Sequence, residues 1–298
     1  MTPTRTGLLS TISLLCFLLA AGAAASERPL IYVGLPPQRW LVQQLAGDRV
    51  QVGLLLSPGQ NPHTFEPTAR QVGDLAAARC YLMMGLPFER ALVKKIQATN
   101  PSLLVRDVAA GVPRRMAPRH VRHPGDAEDA DGCSEGADPH VWLTPAAMAI
   151  LASNTVAALS ACDPAGRGTY EARLMLLREQ CARLDVELRT LLAPVRGGVM
   201  LSYHASWGYF TDAYVLRQVA IETEGRAPAA RQLAALIDLA KQEKVRRIFL
   251  EPPYDPRPGQ TLARQIHAEV VIIDPLAEDW DTNLRRIAEQ VRAALAPP

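Results

Sequence analysis

Ser57-Pro58-Gly59-Gln60-Asn61-Pro62-His63-Thr64-Phe65-Glu66-Pro67 follows directly on the apolar run from Val50 to Leu56. An apolar run entering a segment punctuated by Pro and Gly reads as a strand running into a rigid loop, and this loop presents His63. The same grammar returns at Asp138-Pro139-His140-Val141-Trp142-Leu143-Thr144-Pro145, and where Gly198 to Tyr203 runs into His204-Ala205-Ser206-Trp207. A fourth strand end, Val270-Val271-Ile272-Ile273-Asp274-Pro275, offers a carboxylate in the equivalent place.

An isolated loop histidine is ordinarily an exposed or hydrogen-bonded side chain. Of the six in this chain, however, three read as sitting immediately after or inside a turn signal at the end of an apolar run, and such loop positions are where a rigid scaffold displays functional groups. Three neutral imidazoles and one carboxylate suit a tetrahedral shell for Zn²⁺. The sequence therefore predicts one metal site gathered from the whole chain: His63, His140, His204 and Asp274. Glu251, which ends the run Arg247 to Leu250, is the competing carboxylate. Its alternative role is to accept a hydrogen bond from a ligand residue or a loop N–H.

With 298 residues the chain can bury the cores of two domains. Its net charge of +2 comes from nearly balanced acids and bases, and no Lys/Arg stripe interleaved with aromatics marks a nucleic-acid surface. Residues 1–25 have the charged start, apolar run and Ala-x-Ala end of a secretory signal peptide. Ser26 is then the expected first mature residue, and the periplasm the expected compartment. Leu15 before Cys16 is not the small residue that lipidation requires. Of Cys80, Cys133, Cys162 and Cys181, none has C-x-x-C spacing. Cys181 is expected about 20 Å up a helix from the turn near Cys162, too far for a bridge. Cys80, in an apolar strand, reads as core.

Taken in order, the chain alternates strands and helices, as in parallel sheets flanked by helices. Expected strands are 30–35, 50–56, 80–84, 103–108, 199–203, 218–222, 247–250 and 270–273. Expected helices are 37–45, 67–78 with Pro67 as its first residue, 87–99, 145–161, 207–215, 228–241, 258–267 and 279–295. Tyr170 to Leu192 reads as one long amphipathic helix whose apolar stripe is Leu174, Leu177, Cys181, Leu184, Leu188 and Leu191. It divides the chain into an N-terminal lobe (26–165), a linker helix (166–194) and a C-terminal lobe (195–298). The irregular stretch 109–138 carries His120, His123, Asp126, Glu128 and Asp129, followed by Asp131, Cys133 and Glu135. It reads either as a solvated acidic loop or as an auxiliary collector of cations.

These motifs, with Gly208-Tyr209-Phe210 and Ile248-Phe249-Leu250-Glu251-Pro252, resemble in order the motif series of the periplasmic zinc/manganese-binding receptors of ABC importers, the ZnuA/TroA-like group. The resemblance covers essentially all of the mature chain. It implies two α/β lobes joined by a long rigid helix, one divalent cation held between them, and delivery to a membrane permease with its cytoplasmic ATPase. It places the ligands at His63, His140, His204 and Asp274. His at the third position is similar to zinc receptors, whereas manganese-type relatives often carry Glu there. The stretch 109–138 is poorer in His than the corresponding loop of some zinc receptors, and Tyr203-His204-Ala205-Ser206-Trp207 replaces the commoner His-Asp-Ala-Phe form. The rival readings are a secreted zinc hydrolase, with Glu251 as base beside a metal-bound water, a manganese or iron receptor of the same fold, and a surface adhesin.

Overall fold

The eight apolar runs expected as strands become short parallel strands. In the computed structural model, which describes residues 28–116, 136–222 and 226–296, β1 (Leu30–Val33), β2 (Gln51–Leu54), β3 (Cys80–Met83) and β4 (Leu104–Asp107) form one sheet in the order β2-β1-β3-β4. β5 (Val199–Ser202), β6 (Arg217–Ala220), β7 (Arg247–Leu250) and β8 (Glu269–Ile272) repeat the pattern as β6-β5-β7-β8. Every pairing among these eight strands is parallel, as helical crossovers demand. Gly53 faces Tyr32 across β2 and β1, and a Cβ there would lie 2.3 Å from the tyrosine ring.

The helices are α1 (Pro36–Ala46), α2 (Ala69–Ala76), α3 (Pro87–Thr99), α4 (Pro145–Cys162), α5 (Arg167–Leu192), α6 (Gly208–Ala213), α7 (Ala230–Gln242), α8 (Arg257–Ile266) and α9 (Trp280–Leu295). Two differ from the expectation for a physical reason. α2 is opened by Thr68 rather than Pro67: the Thr68 hydroxyl accepts from Gln71 N at 3.3 Å while the Gln71 side chain accepts from Thr68 N at 2.9 Å. That reciprocal pair satisfies orphan donors that Pro67 could not reach. The expected helix 207–215 is a 3₁₀ turn, Ala205–Trp207, followed by the six-residue α6. It stops short of Val215, whose φ of 58° no right-handed helix contains.

α5 has 26 residues and so spans about 39 Å, linking the lobes as one stiff rod. Its buried stripe is Leu177, Cys181, Leu184, Leu188 and Leu192, with Leu174 and Leu191 half-buried. α4, α9 and α1 pack on it. α4 is apolar enough to resemble a membrane span, but much of it is buried inside the protein. One continuous core runs from Ile31 and Leu41 through Trp142 and Leu184 to Trp280 and Val291. A smaller one fills the far side of the second sheet around Leu201, Ile221, Ile248 and Leu262. The lobes are also joined beside the rod. Trp142 Nε1 donates to Pro275 O at 2.7 Å, Trp280 Nε1 donates to Trp142 O at 2.7 Å, and Trp40 packs on Trp280 with ring centroids 5.3 Å apart.

Candidate metal centre

His63 and His140 stand in the same local device. Asn61 Oδ1 accepts from His63 N at 2.9 Å, and Asp138 Oδ1 accepts from His140 N at 3.0 Å. Each is an Asx turn closed over a proline, which fixes the backbone that displays the imidazole. Asp274-Pro275-Leu276 makes the turn a third time, with Asp274 Oδ1 accepting from Leu276 N at 2.8 Å. Phe65, packed edge-on against Phe88 at 5.1 Å, anchors the His63 loop. His204 follows β5 directly. Its backbone N donates to Glu251 Oε2 at 3.2 Å, and its carbonyl accepts from Ser202 Oγ at 2.9 Å and Gln218 Nε2 at 3.1 Å.

These backbones aim the three rings at one point. His63 Nε2 lies 3.1 Å from His204 Nε2, which lies 3.4 Å from His140 Nε2. One ligand atom from each lies within 4.8 Å of the others. Tetrahedral ligation with Zn–N bonds of about 2.0–2.1 Å separates neighbouring nitrogens by about 3.3–3.4 Å. The far side of two rings is also prepared. His140 Nδ1 meets Asp138 Oδ1 at 2.8 Å, and His204 Nδ1 meets Glu222 Oε1. A carboxylate there holds the proton on Nδ1 and leaves Nε2 as a lone pair. The lone pairs of His140 and His204 then face each other, an arrangement that needs a cation between them. Arg115 backs Asp138 with Nη1 3.3 Å from Oδ2, and its Nε reaches Asp212 of the second lobe at 2.7 Å.

Desolvation, with the neighbouring imidazoles adding to it, lowers the His63 pKa to about 3. Desolvation also lowers that of His204, against the opposing pull of Glu222. Tyr254 stacks on His204 at 4.6 Å and 24°. Pro62, His140, Trp142, His204, Tyr254 and Leu276 are among the residues around a void of about 10 Å³, the scale of one water-sized centre. The void is of the size of an ion or a single water.

Strand order explains which carboxylates come close. β6 and β7 flank β5, so Glu222 and Glu251, just beyond their ends, both reach His204. β8 is one strand further out, and Asp274 beyond it is not in the group of converging ligand atoms. Glu251 accepts from His204 N and, at 2.7 Å, from Trp207 Nε1. Burial drives its pKa up to about 8 in spite of those bonds. Each of its oxygens thus accepts a hydrogen bond beside His204. The sequence alone does not single out Asp138 and Glu222 as partners of the rings. Asp138 was visible two residues before His140, whereas Glu222 ends a strand like several other acids. His120, His123, Asp126, Glu128 and Asp129 lie outside the described residues.

A family model described as zinc-uptake complex component A, periplasmic, matches residues 31–294. The chain belongs to the ZnuA family. It is 29% identical over 262 residues to the high-affinity zinc uptake system protein ZnuA of Paracoccus denitrificans, covering 80% of each chain. To the zinc-binding lipoprotein AdcA of Streptococcus pneumoniae serotype 4 it is 27% identical over 237 residues, 78% of this chain and 47% of AdcA. The chain thus spans about half the length of the AdcA relatives. A crystal structure of ZnuA is 32% identical with a TM-score of 0.81, and covers 91% of this chain and all of that one. A zinc-bound ZnuA lacking residues 138–173 of its own chain is 33% identical, with a TM-score of 0.82 over the same shares. The family is one of periplasmic solute receptors rather than enzymes.

Proposed function

We propose that this chain is an extracytoplasmic receptor that captures Zn²⁺ and delivers it to an ABC permease driven by a cytoplasmic ATPase. The observation that carries the reading is the meeting of His63 and His140 from one lobe with His204 from the other, Nε2 to Nε2, at zinc-ligand spacing. In this reading the three imidazoles hold the ion. Asp274, whose Oδ1 is committed to Leu276 N, supplies Oδ2 as the fourth ligand. Asp138 and Glu222 orient the rings, and Trp142 and Tyr254 keep water out. Three nitrogen donors favour zinc over manganese, which prefers oxygen. Residues 26–165 and 195–298 are the lobes, 166–194 the connector, and residues 1–25 a signal cleaved on export to the periplasm, where the receptor works as a monomer. The stretch 109–138 serves as a weaker collector of cations.

A hydrolase would need a free carboxylate beside a metal-bound water. Glu251 instead spends both oxygens on His204 N and Trp207 Nε1. Native mass spectrometry of the mature chain under competing Zn²⁺ and Mn²⁺ tests the proposal. One tightly held Zn²⁺ is expected, lost in His204→Ala and weakened in Asp274→Asn. Preferred Mn²⁺ loading, or Zn²⁺ retained undiminished by His204→Ala, overturns it.

A further inference from the structure

At the other end of the first sheet, where the strands begin, two thiols meet. Cys80 is the first residue of β3 and Cys162 the last of α4, and α4 packs on β3. Both are buried, 0% and 6% exposed, and both are free. Leu104, the partner of Cys80 across β3 and β4, and Ala78 and Arg79, which lead into Cys80, line one cavity with Cys162, and each thiol is the largest influence on the titration of the other. Sequence spacing weighs Cys162 against Cys181 and assigns Cys80 to the core, and it gives no sign that helix α4 ends on the first residue of β3. A cavity of about 970 Å³ opens at this end, lined by Cys162 together with Ala161, Ala78, Arg79 and Leu104. Cys162 is therefore the sulfur that a reagent meets first, with Cys80 behind it.

We propose that Cys80 and Cys162 are a redox-active pair that closes to an intramolecular disulfide, tying the end of α4 to the start of β3. The oxidant is a disulfide, small or protein-borne. Cys162 attacks one of its sulfurs as the thiolate, forms a mixed disulfide and expels the first thiol. Cys80 then gives up its proton, attacks Cys162 Sγ and expels the second thiol. Two thiols of the chain lose two electrons and two protons, and one external disulfide becomes two thiols. The nearby charges support this order of attack. The neighbouring Cys80 thiol, helped by Arg79 and Arg106, lowers the Cys162 pKa, while Cys162 raises that of Cys80. The family's periplasmic setting is one in which disulfides persist. The link would close the chain between positions 80 and 162, a loop that holds the His140 turn, so it constrains the unfolded chain strongly. No metal ligand takes part, and the proposal stands apart from the zinc reading.

The test uses the full mature chain, reduced and then incubated with glutathione disulfide, with and without Zn²⁺. Expected are loss of the mass of two hydrogens and a non-reducing peptide map joining Cys80 to Cys162. The melting midpoint should rise by roughly 10 °C and fall back on reduction. Cys162→Ser, at the more accessible of the two positions, should show none of these changes while melting with the reduced wild type. This comparison holds even if Cys80→Ala fails to fold. The proposal is overturned if both thiols remain open to alkylation after oxidation, if Cys162 stops at a stable glutathione adduct, or if either cysteine links instead to Cys133 or Cys181.

Discussion

Glu222→Gln removes a charge and almost no volume from a position only 5% exposed beside His204. Glu222 Oε1 is the partner of His204 Nδ1, whereas Oε2 is buried with no hydrogen-bond partner among the described residues. The two oxygens therefore pull in opposite directions. Losing the charge at Oε1 weakens His204 as a ligand and lets the amide turn its NH₂ toward Nδ1, which favours the wrong tautomer. Orienting partners of this kind are typically worth 10–100-fold in metal affinity, about 1.4–2.7 kcal/mol. At Oε2 the substitution leaves a polar amide atom still without a partner, but a neutral one, whose burial costs less than that of a carboxylate oxygen. Zinc titration against a chromophoric chelator at neutral pH should thus show an affinity about 10–100-fold lower, while the melting midpoint of the metal-free protein holds or rises. Glu269→Gln is the control: it removes an exposed carboxylate 2.9 Å from Arg247 on the same sheet and should leave both readouts in place. Unchanged zinc affinity in Glu222→Gln would refute the reasoning. So would a metal-free protein destabilised as much as its zinc complex.

His204→Ala should abolish tight zinc binding, whereas His120→Ala should cost little; equal losses on calorimetric titration would mean that the primary site is misassigned. Acid should act on the metal-free protein through the same rings. His63, at about 3, and His204 titrate below the ordinary imidazole value when folded, so below about 6.5 the unfolded chain binds more protons than the folded one. Stability is then full above that value and is lost as pH falls from about 6.5 toward 3, as denaturant midpoints across the range will show. For these two rings, proton competition with zinc also begins below about 6.5 rather than at it. Affinity already falling steeply above neutrality would contradict this. Trp142→Phe deletes the bond to Pro275 O at 2.7 Å from a side chain with no exposed surface. It should cost about 2–3 kcal/mol of stability and speed zinc release, measured by urea unfolding and stopped-flow chelation.

Much of this was legible because His63 and His204 follow apolar runs that become strands, and in a parallel α/β protein the strand ends are where side chains meet. His140 departs from that expectation: among the described residues no strand leads into it, Ala137 makes only an isolated bridge to Met116, and His140 opens the 3₁₀ turn Val141–Leu143. The Asx-Pro turns at Asn61 and Asp138 were equally visible, since the device lies within three residues. What sequence could not supply was strand order. Glu222, Glu251 and Asp274 all follow apolar runs of the second half, and nothing local distinguishes them. Only the order β6-β5-β7-β8 places the first two beside His204 and the third a strand away. The Cys80 and Cys162 pair escaped for the same reason, because it depends on where α4 ends relative to β3. The start of α2 differs from the sequence expectation for a local reason: Thr68 and Gln71 form a reciprocal cap that outweighs the preference of proline for a first turn.

The most direct test of the central claim is a crystal structure of the zinc-loaded chain with anomalous data collected on both sides of the zinc edge. One strong peak should appear among the Nε2 atoms of His63, His140 and His204, about 2.0–2.1 Å from each. A peak elsewhere with these rings left unliganded, or a zinc ion bound through cysteine sulfur, would contradict the account.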